Sequence, residues 1–569
     1  MKSRFLFRIR FFSLAIIAFA LFLVGRLYFL QIMHGSDFVS KADRQYVRPA
    51  AYVFNRGNIF FSSKDGGLIS AATVKDGSIV ALNPKIIQTP ENICTKLTLF
   101  LTLNCSDVTA KASKTNDPYE EIAKHVDVNI GKAINALKIP GVGIYQDRWR
   151  IYPGGTLASQ VLGFVGYKGD ELGGRYGLES YYENVLKRED QNVYVNFFAE
   201  IFSDINKTVI QGESLEGDVV TTIEPTTQDF LEKALEKVKT KWSSESVGGI
   251  IINPKNGEIY AMALTPGFDP NNFRDAQDVS VFTNDVVENV HEMGSIIKPI
   301  TMATAIDLGV ANASTTYLDT GSVSLNGKTI YNFDKKGRGT ITLQQAMGES
   351  LNTGFVFLSQ KIGHDNFRKY FTDFGLGERT GIDLPNEAKG IITTNLNSPR
   401  DLEYGTASFG QGIAITPVET VRALSAIANG GTLITPHVAK QINYKIGIPK
   451  TISYPEGRRV IKKETADAVT EMLVTDFDQY FQKGASKNPH YRIAEKTGTA
   501  QIPLPGGGYY EDRNLHSFFG FLPASNPQFL VFLYTVNPHG APYSSVSLGP
   551  TFVDITKFLI NYYEIAPDR

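Results

Sequence analysis

A serine hydroxyl becomes a useful nucleophile when a neighbouring base takes its proton, so pairs of that kind come first. Ser295-Ile296-Ile297-Lys298 is the only S-x-x-K in the 569-residue chain. On a helix, residues i and i+3 share a face, which brings the Lys298 amine to the Ser295 hydroxyl. Gly294 before the pair and Pro299 after it suit a helix start, where the first turn has no partners for its N–H groups. Such a terminus offers free N–H groups and a positive dipole end to a developing oxyanion. Alone, the pattern fits a surface serine and lysine equally well.

Lys496-Thr497-Gly498 also occurs once and is followed by Thr499. Ile493 and Ala494 before it and Ala500 to Ile502 after it predict a strand. A glycine inside a strand costs stability, and close approach of another backbone or a ligand would explain Gly498. One cation and two hydroxyls on a strand suit a carboxylate-bearing substrate. The bland alternative is an edge strand with a spare glycine. S-x-N occurs three times, at Ser324, Ser350 and Ser486. Asn326 precedes Gly327 in a turn, and Ser486 lies in a polar loop. Ser350-Leu351-Asn352 alone sits in a long apolar, helix-like setting and is chosen.

The elements that must hold these residues are legible from about Glu216 onward. Asp218 to Ile223 predicts a strand, and Thr226 to Trp242 a helix with apolar residues in a 3.6 period. Gly248–Ile252 and Glu258–Ala263 predict a hairpin around a turn rich in Asn, Pro and Gly. Helices are expected at Ile297–Leu308, Leu343–Ile362 and Pro417–Asn429. Strands are expected at Phe518–Phe521 and Gln528–Val536, and a last helix near Thr551–Tyr563. Strands at both ends with helices between them predict one antiparallel sheet in an α+β fold. The stretch from Gly35 to about Leu215 reads as an extended α+β region, with a strand at Gly77–Leu82 and one helix over Tyr119–Leu137.

Lys2, Arg4, Arg8 and Arg10 precede an apolar stretch from Phe11 to Met33 that only Arg26 interrupts. An uncleaved anchor is expected there, crossing the membrane if Arg26 snorkels, with the N-terminus cytoplasmic by the positive-inside rule. A signal cleaved after Ala18-Phe19-Ala20 is the alternative, but the apolar run continues past it. No later segment reaches spanning length, so a single-pass protein of the inner (plasma) membrane is expected, with its catalytic part outside. Oxidising surroundings would allow Cys94 and Cys105, the only cysteines, to pair. With 57 basic and 58 acidic residues, nothing draws the chain to nucleic acid. Two thiols and eight scattered histidines give no metal site, and no phosphate-binding G-x-x-x-x-G-K-[ST] occurs.

Ser295-x-x-Lys298, Ser350-x-Asn352 and Lys496-Thr497-Gly498, in this order, resemble the three active-site motifs of penicillin-binding proteins and serine β-lactamases. Phe409-Gly410-Gln411-Gly412 with Thr416-Pro417, and Ala428-Asn429-Gly430-Gly431, resemble further stretches of the transpeptidase domain. The front half resembles the class B, monofunctional type, through Arg56-Gly57-Asn58-Ile59, Arg150-Ile151-Tyr152-Pro153, Gly163-Phe164-Val165-Gly166 and Gly177-Leu178-Glu179. It departs from the family at Phe60–Gly66, where a short D-R-x-G turn is usual. The resemblance implies a cytoplasmic tail (1–10), a transmembrane anchor (11–33), a pedestal of the dimerisation type (34–215) and a β-lactamase-like transpeptidase domain (216–569).

It also implies acyl transfer between peptidoglycan stem peptides, without a cofactor. Ser295 would attack the D-Ala–D-Ala carbonyl with Lys298, kept neutral by burial and by Lys496, as its base. Ser350 would relay the proton, and Asn352 would hold Lys298 and a substrate amide. Lys496, Thr497 and Thr499 would bind the terminal carboxylate, and the N–H groups of Ser295 and Thr499 would form the oxyanion hole. β-Lactams are the implied covalent inhibitors. A membrane glycosyltransferase and other wall-synthesis proteins are the implied partners, through pedestal and anchor, with lipid-linked nascent strands as substrate. Ser517-Phe518-Phe519-Gly520-Phe521-Leu522-Pro523 looks like the division type. An elongation-type transpeptidase, a D,D-carboxypeptidase and a silent penicillin-binding sensor are the alternatives.

Overall fold

The computed structural model describes Phe19 and residues 54–569 apart from 170, 189–215 and 446. Apart from Phe19, the apolar stretch 11–33 therefore lies outside the described residues. Among the described residues, no helix is long and apolar enough to cross a membrane. The chain divides into two compact units, one containing Asp76–Trp149 and the other Asn55–Lys75 with Arg150–Arg569.

The first unit packs helices Pro90–Leu97 and Cys105–Ala112 over a small core of Val80, Leu82, Ile93, Leu97, Val108, Val126 and Ile134. Cys94 and Cys105 form a disulfide, with Cα atoms 5.5 Å apart, that ties the two helices together. Closing so short a loop in the unfolded chain stabilises the unit by roughly 3 kcal/mol in the chain-entropy view. The helix expected over Tyr119–Leu137 is instead a strand, Glu120–Val126, followed by a helix, Val128–Ala136. Ile122, Val126 and Ile130 recur every four residues, a spacing that suits a helix and is also even, so it fits a strand. Asp127 decides the boundary by capping the helix, its side chain accepting from Asn129 N.

In the second unit the elements that build the site are α1 (Pro225–Trp242), β1 (Ser246–Ile252), β2 (Ile259–Thr265), α2 (Lys298–Asp307), α3 (Leu343–Gly348), α4 (Asn352–Ile362), α5 (Pro417–Ala428), α6 (Lys463–Thr475), β3 (Ala494–Pro503), β4 (Tyr509–Leu522), β5 (Phe529–Val536) and α7 (Gly549–Tyr562). The strands form one sheet in the order β3-β4-β5-β1-β2, with every neighbouring pair antiparallel. Alternation sends successive side chains to opposite faces. Phe518, Val531, Leu533, Val247 and Ile251 face α1 and α7 through Leu231, Leu235, Phe552, Ile555 and Leu559. Phe519, Phe521, Phe532 and Ile250 join the larger core with Ile296, Ile297, Ile300, Val421 and Leu424. Both faces are covered, which is why these strands are nearly continuous apolar runs. The sequence reading holds for the Gly248–Ala263 hairpin, the Lys496 strand and the two C-terminal strands, but the strand expected at Asp218–Ile223 forms Gly217–Thr221 and pairs with Ile59–Ser62 and Ala439–Tyr444 in a separate sheet.

The front of this unit is organised by one buried ionic cluster. Arg56 Nε donates to Glu179 Oε2 at 2.5 Å, and Arg150 Nε to Glu179 Oε1 at 2.6 Å. Tyr152 OH donates to the same Oε1 at 3.1 Å, and Arg56 Nη2 reaches Glu183 at 2.6 Å. Arg150 Nη1 also donates to Gly57 O at 2.7 Å. Three motifs far apart in sequence thus meet at one carboxylate. The residues that depart from the family pattern form a tight hairpin, in which Ser63 N donates to Gly67 O and Gly66 takes a positive φ of 82°.

Candidate active site

Ser295 stands on a 3₁₀ turn, Gly294–Ile297, that runs directly into α2. Gly294 has φ +63° and its N–H donates to Gly410 O at 3.1 Å. A Cβ on Gly410 would lie 2.2 Å from Gly294 O, so the Phe409–Gly412 stretch needs its glycine to let two backbones touch behind the serine. Gly498 has the role expected of it. A Cβ there would come within 2.8 Å of Met293 O and 2.2 Å of Ser517 Oγ. Ser517, opposite Gly498 on β4, donates to Met293 O at 2.7 Å and so fastens the serine turn to the sheet.

Lys298 is fully buried. Its amine donates to Ser350 O at 2.6 Å and to Ser350 Oγ at 3.1 Å, and it lies 5.3 Å from the centroid of Phe355. Burial first, then the charge of Lys496, pushes its pKa well below the usual lysine range, while Asp476 opposes the shift. Ser350 was expected inside one helix over Leu343–Ile362. That helix is broken into α3 and α4, and Ser350, at the break, has φ +53°. A left-handed serine is costly, and here the bend turns both its carbonyl and its hydroxyl toward Lys298. Asn352 begins α4, and its amide donates to Tyr331 O at 2.9 Å; the expected hold on Lys298 comes instead from Ser350.

Lys496 is buried on β3 and pairs with Asp476 Oδ2 at 3.1 Å. Asp476 opens a π-helical turn, Asp476–Tyr480, that continues α6. Burial pushes the Asp476 carboxyl up to about 6 against the pull of Lys496. Glu495, also buried, is pushed well above the usual carboxylate range by burial and by Asp476. Ser295, Ser350, Asn352, Thr497 and Thr499 all line one cleft of about 310 Å³, with Phe333, Tyr480 and Phe481 among its walls. Lys298 and Lys496 sit beneath them. Among the described residues, no group of His, Cys, Asp and Glu has the arrangement of a metal site. A hydroxyl with a buried amine of lowered pKa one turn away, facing a cationic strand, is equipped for acyl transfer to and from a serine.

All the residues singled out in the sequence therefore converge. Asp476 and Glu495 were not foreseen. Glu495 shares a strand face with Thr497, a signal that was available; Asp476 lies twenty positions from Lys496 with no pattern linking them.

Comparison with known proteins agrees with this arrangement. Residues 247–557 match the penicillin binding protein transpeptidase domain, and residues 55–218 the penicillin-binding protein dimerisation domain. Stage V sporulation protein D of Bacillus subtilis is 31% identical over 534 residues, which cover 90% of this chain and 79% of that protein. Peptidoglycan D,D-transpeptidase FtsI of Buchnera aphidicola is 27% identical over 573 residues, 98% of this chain and 95% of that one. Penicillin binding protein 3 of Mycobacterium tuberculosis, solved in complex with aztreonam, superposes with a TM-score of 0.69 at 23% identity, covering 91% of this chain and 98% of that chain. A dimerisation domain followed by a transpeptidase domain places the chain in the penicillin-binding protein family, among the class B D,D-transpeptidases.

Proposed function

We propose that Ser295 is the acylated nucleophile of a peptidoglycan cross-linking reaction and that Lys298 is its base. The observation that carries this reading is the buried Lys298 amine, with its lowered pKa and its bonds to Ser350. A neutral amine accepts the Ser295 proton as the hydroxyl attacks the penultimate D-Ala carbonyl. Ser350 then carries a proton to the departing D-Ala amine, and an amine of a second stem peptide takes the acyl group. Lys496, Thr497 and Thr499 hold the terminal carboxylate, and Gly498 lets the strand lie against the serine turn. The N–H groups of Ser295 and Thr499 stabilise the oxyanion. Asn352 orients substrate from the cleft wall while held by Tyr331 O. No cofactor takes part.

β-Lactams acylate the same serine; the likeness to a structure holding aztreonam supports this. Residues 11–33 anchor the chain in the plasma membrane, with 1–10 cytoplasmic, 34–215 as pedestal and 216–569 as the transpeptidase domain. A membrane glycosyltransferase supplies nascent strands beside it. The role is septal on this reading, and it rests on the stretch Ser517–Pro523. Most of that stretch is a buried central strand, so a fluorescent fusion seen at mid-cell or along the side wall separates division from elongation. The chemical test combines adduct mapping with product analysis. A penicillin adduct on Ser295 and cross-linked dimers from stem peptides are expected; an adduct elsewhere, or release of free D-Ala alone, overturns the assignment.

A further inference from the structure

Glu495 has no part in the reaction as described, yet its position is unusual for an acid. It is 1% exposed, it lines the cleft, and its Oε2 meets no hydrogen-bond partner among the described residues. On β3, residues 495, 497 and 499 point to one side, so this carboxyl stands in the same row as the two threonines, about 7 Å from Thr497 along the strand. The titratable and charged groups around it are Asp476 and Tyr480 from the π-helical turn, Lys496 beside it, Lys298 beneath, and Glu349 on the cleft wall, itself paired with Arg338. Lys496 is the nearest cation on this strand, and Asp476 already pairs with it.

We propose that Glu495 is a specificity residue for the terminal carboxylate of the acyl donor: as a neutral acid it leaves the anion pocket of Thr497 and Thr499 free of opposing charge, and once ionised it repels that carboxylate. This rests on the reading of Lys496 and the threonines given above. With Asp476 ionised and Glu495 neutral, the two acids and Lys496 sum to zero charge, and an incoming carboxylate meets no net repulsion. Loss of the Glu495 proton adds one negative charge to the same row. Burial first, then the Asp476 charge, shifts the Glu495 carboxyl upward, the direction that favours its neutral form. Carboxylate recognition should then weaken as pH rises, while the pH dependence of Ser295 through Lys298 acts on both kinds of acyl donor alike and cancels in their ratio.

The test compares two probes on the full-length protein: a D-alanyl thioester ending in a carboxylate, and its methyl ester. Acylation efficiency is followed from about pH 6 to about pH 9 in wild type, Glu495→Gln and a Ser295→Ala blank. In wild type, the carboxylate-to-ester ratio should fall with pH by roughly ten- to fiftyfold, the size of a like charge about 7 Å away at an effective dielectric near 20. In Glu495→Gln the ratio should stay flat with pH. A flat ratio in wild type overturns the proposal even if the variant fails to fold, and an equal fall in both proteins does the same. Acylation of the Ser295→Ala blank would instead overturn the underlying assignment of the nucleophile.

Discussion

Around Glu179, two guanidinium groups and a phenol occupy both oxygens of one buried carboxylate. Around Lys496, two buried carboxyls and the Lys298 amine share few bonds, and one carboxyl oxygen of Glu495 has no hydrogen-bond partner among the described residues. Both clusters lie in the same folding unit, and both bury charge at a desolvation cost. They differ in how that cost is met. Burial pushes Glu179 up, but the charges of Arg150 and Arg56 and one hydrogen bond from each guanidinium hold it below the usual carboxylate range. In the other cluster burial wins: Asp476 and Glu495 rise, and Lys298 falls. A carboxylate with both oxygens bonded fixes a structure, even though Arg150 Nη2 beside it has no hydrogen-bond partner among the described residues. An unsatisfied cluster keeps groups close to exchanging protons, which acyl transfer needs.

Removing the amine gives the largest expected effect. Lys298→Ala should slow acylation of Ser295 by a fluorescent penicillin by about 10²–10⁴-fold. Lys298→Arg should fail alike, because a guanidinium keeps its proton at these pH values. Near-normal labelling of the Arg variant would mean that charge, not basicity, is required.

The converse experiment breaks the satisfied cluster. Glu179→Ala leaves Arg56 and Arg150 buried without their shared anion and should cost about 3–5 kcal/mol of stability. Chemical denaturation measures the loss, and labelling per folded molecule should be unchanged. Unaltered stability would show that water or Glu183 replaces the lost carboxylate.

Opposite pKa shifts give opposite pH dependences. Glu179 is depressed in the folded state, so its stabilisation is full above the unfolded value near 4.3 and is lost as pH falls through the lower folded value. Asp476 is raised to about 6, so the folded state binds its proton more tightly than the unfolded chain does. The stability this gives is present below about 3.9 and is lost as pH rises toward 6. Asp476→Asn should therefore gain on wild type as pH rises between about 4 and 6, whereas Glu179→Gln should fall further behind as pH rises from the acid side. Paired unfolding curves from about pH 2 to about pH 6 decide, since the Glu179 window lies below about 4.3 and the Asp476 window above about 3.9; parallel trends for the two variants would erase the distinction.

The smallest effect concerns Ser350. Glycine adopts its left-handed backbone freely, so Ser350→Gly should be more stable than Ser350→Ala by about 1 kcal/mol. Both lose the hydroxyl that Lys298 touches, and both should label slowly. Equal melting temperatures would show that the bend stores no strain.

What was legible beforehand depended on local rules. Ser295 and Lys298 could be paired because helix spacing alone brings i and i+3 together. The strands of the central sheet showed as apolar runs between turn residues, and Gly498 announced a close approach that Met293 and Ser517 make. Where a local pattern satisfied two geometries, the reading failed. The spacing of four in Glu120–Ala136 fitted both periods, and the apolar run from Leu343 to Ile362 hid a break at Ser350.

The sequence by itself determined which chemical groups were present, which neighbours share a helix or strand face, and through its motifs the family to which they belong. The tertiary structure decided the meeting of Arg56, Arg150 and Glu179, the pairing of Asp476 with Lys496, and the turn of Ser350 toward Lys298. Those contacts join residues tens to more than a hundred positions apart, and what each group does depends on its burial and on charges brought by other elements. Neither quantity exists until the chain has folded, so the pKa of Lys298 belongs to the fold and not to the motif that contains it.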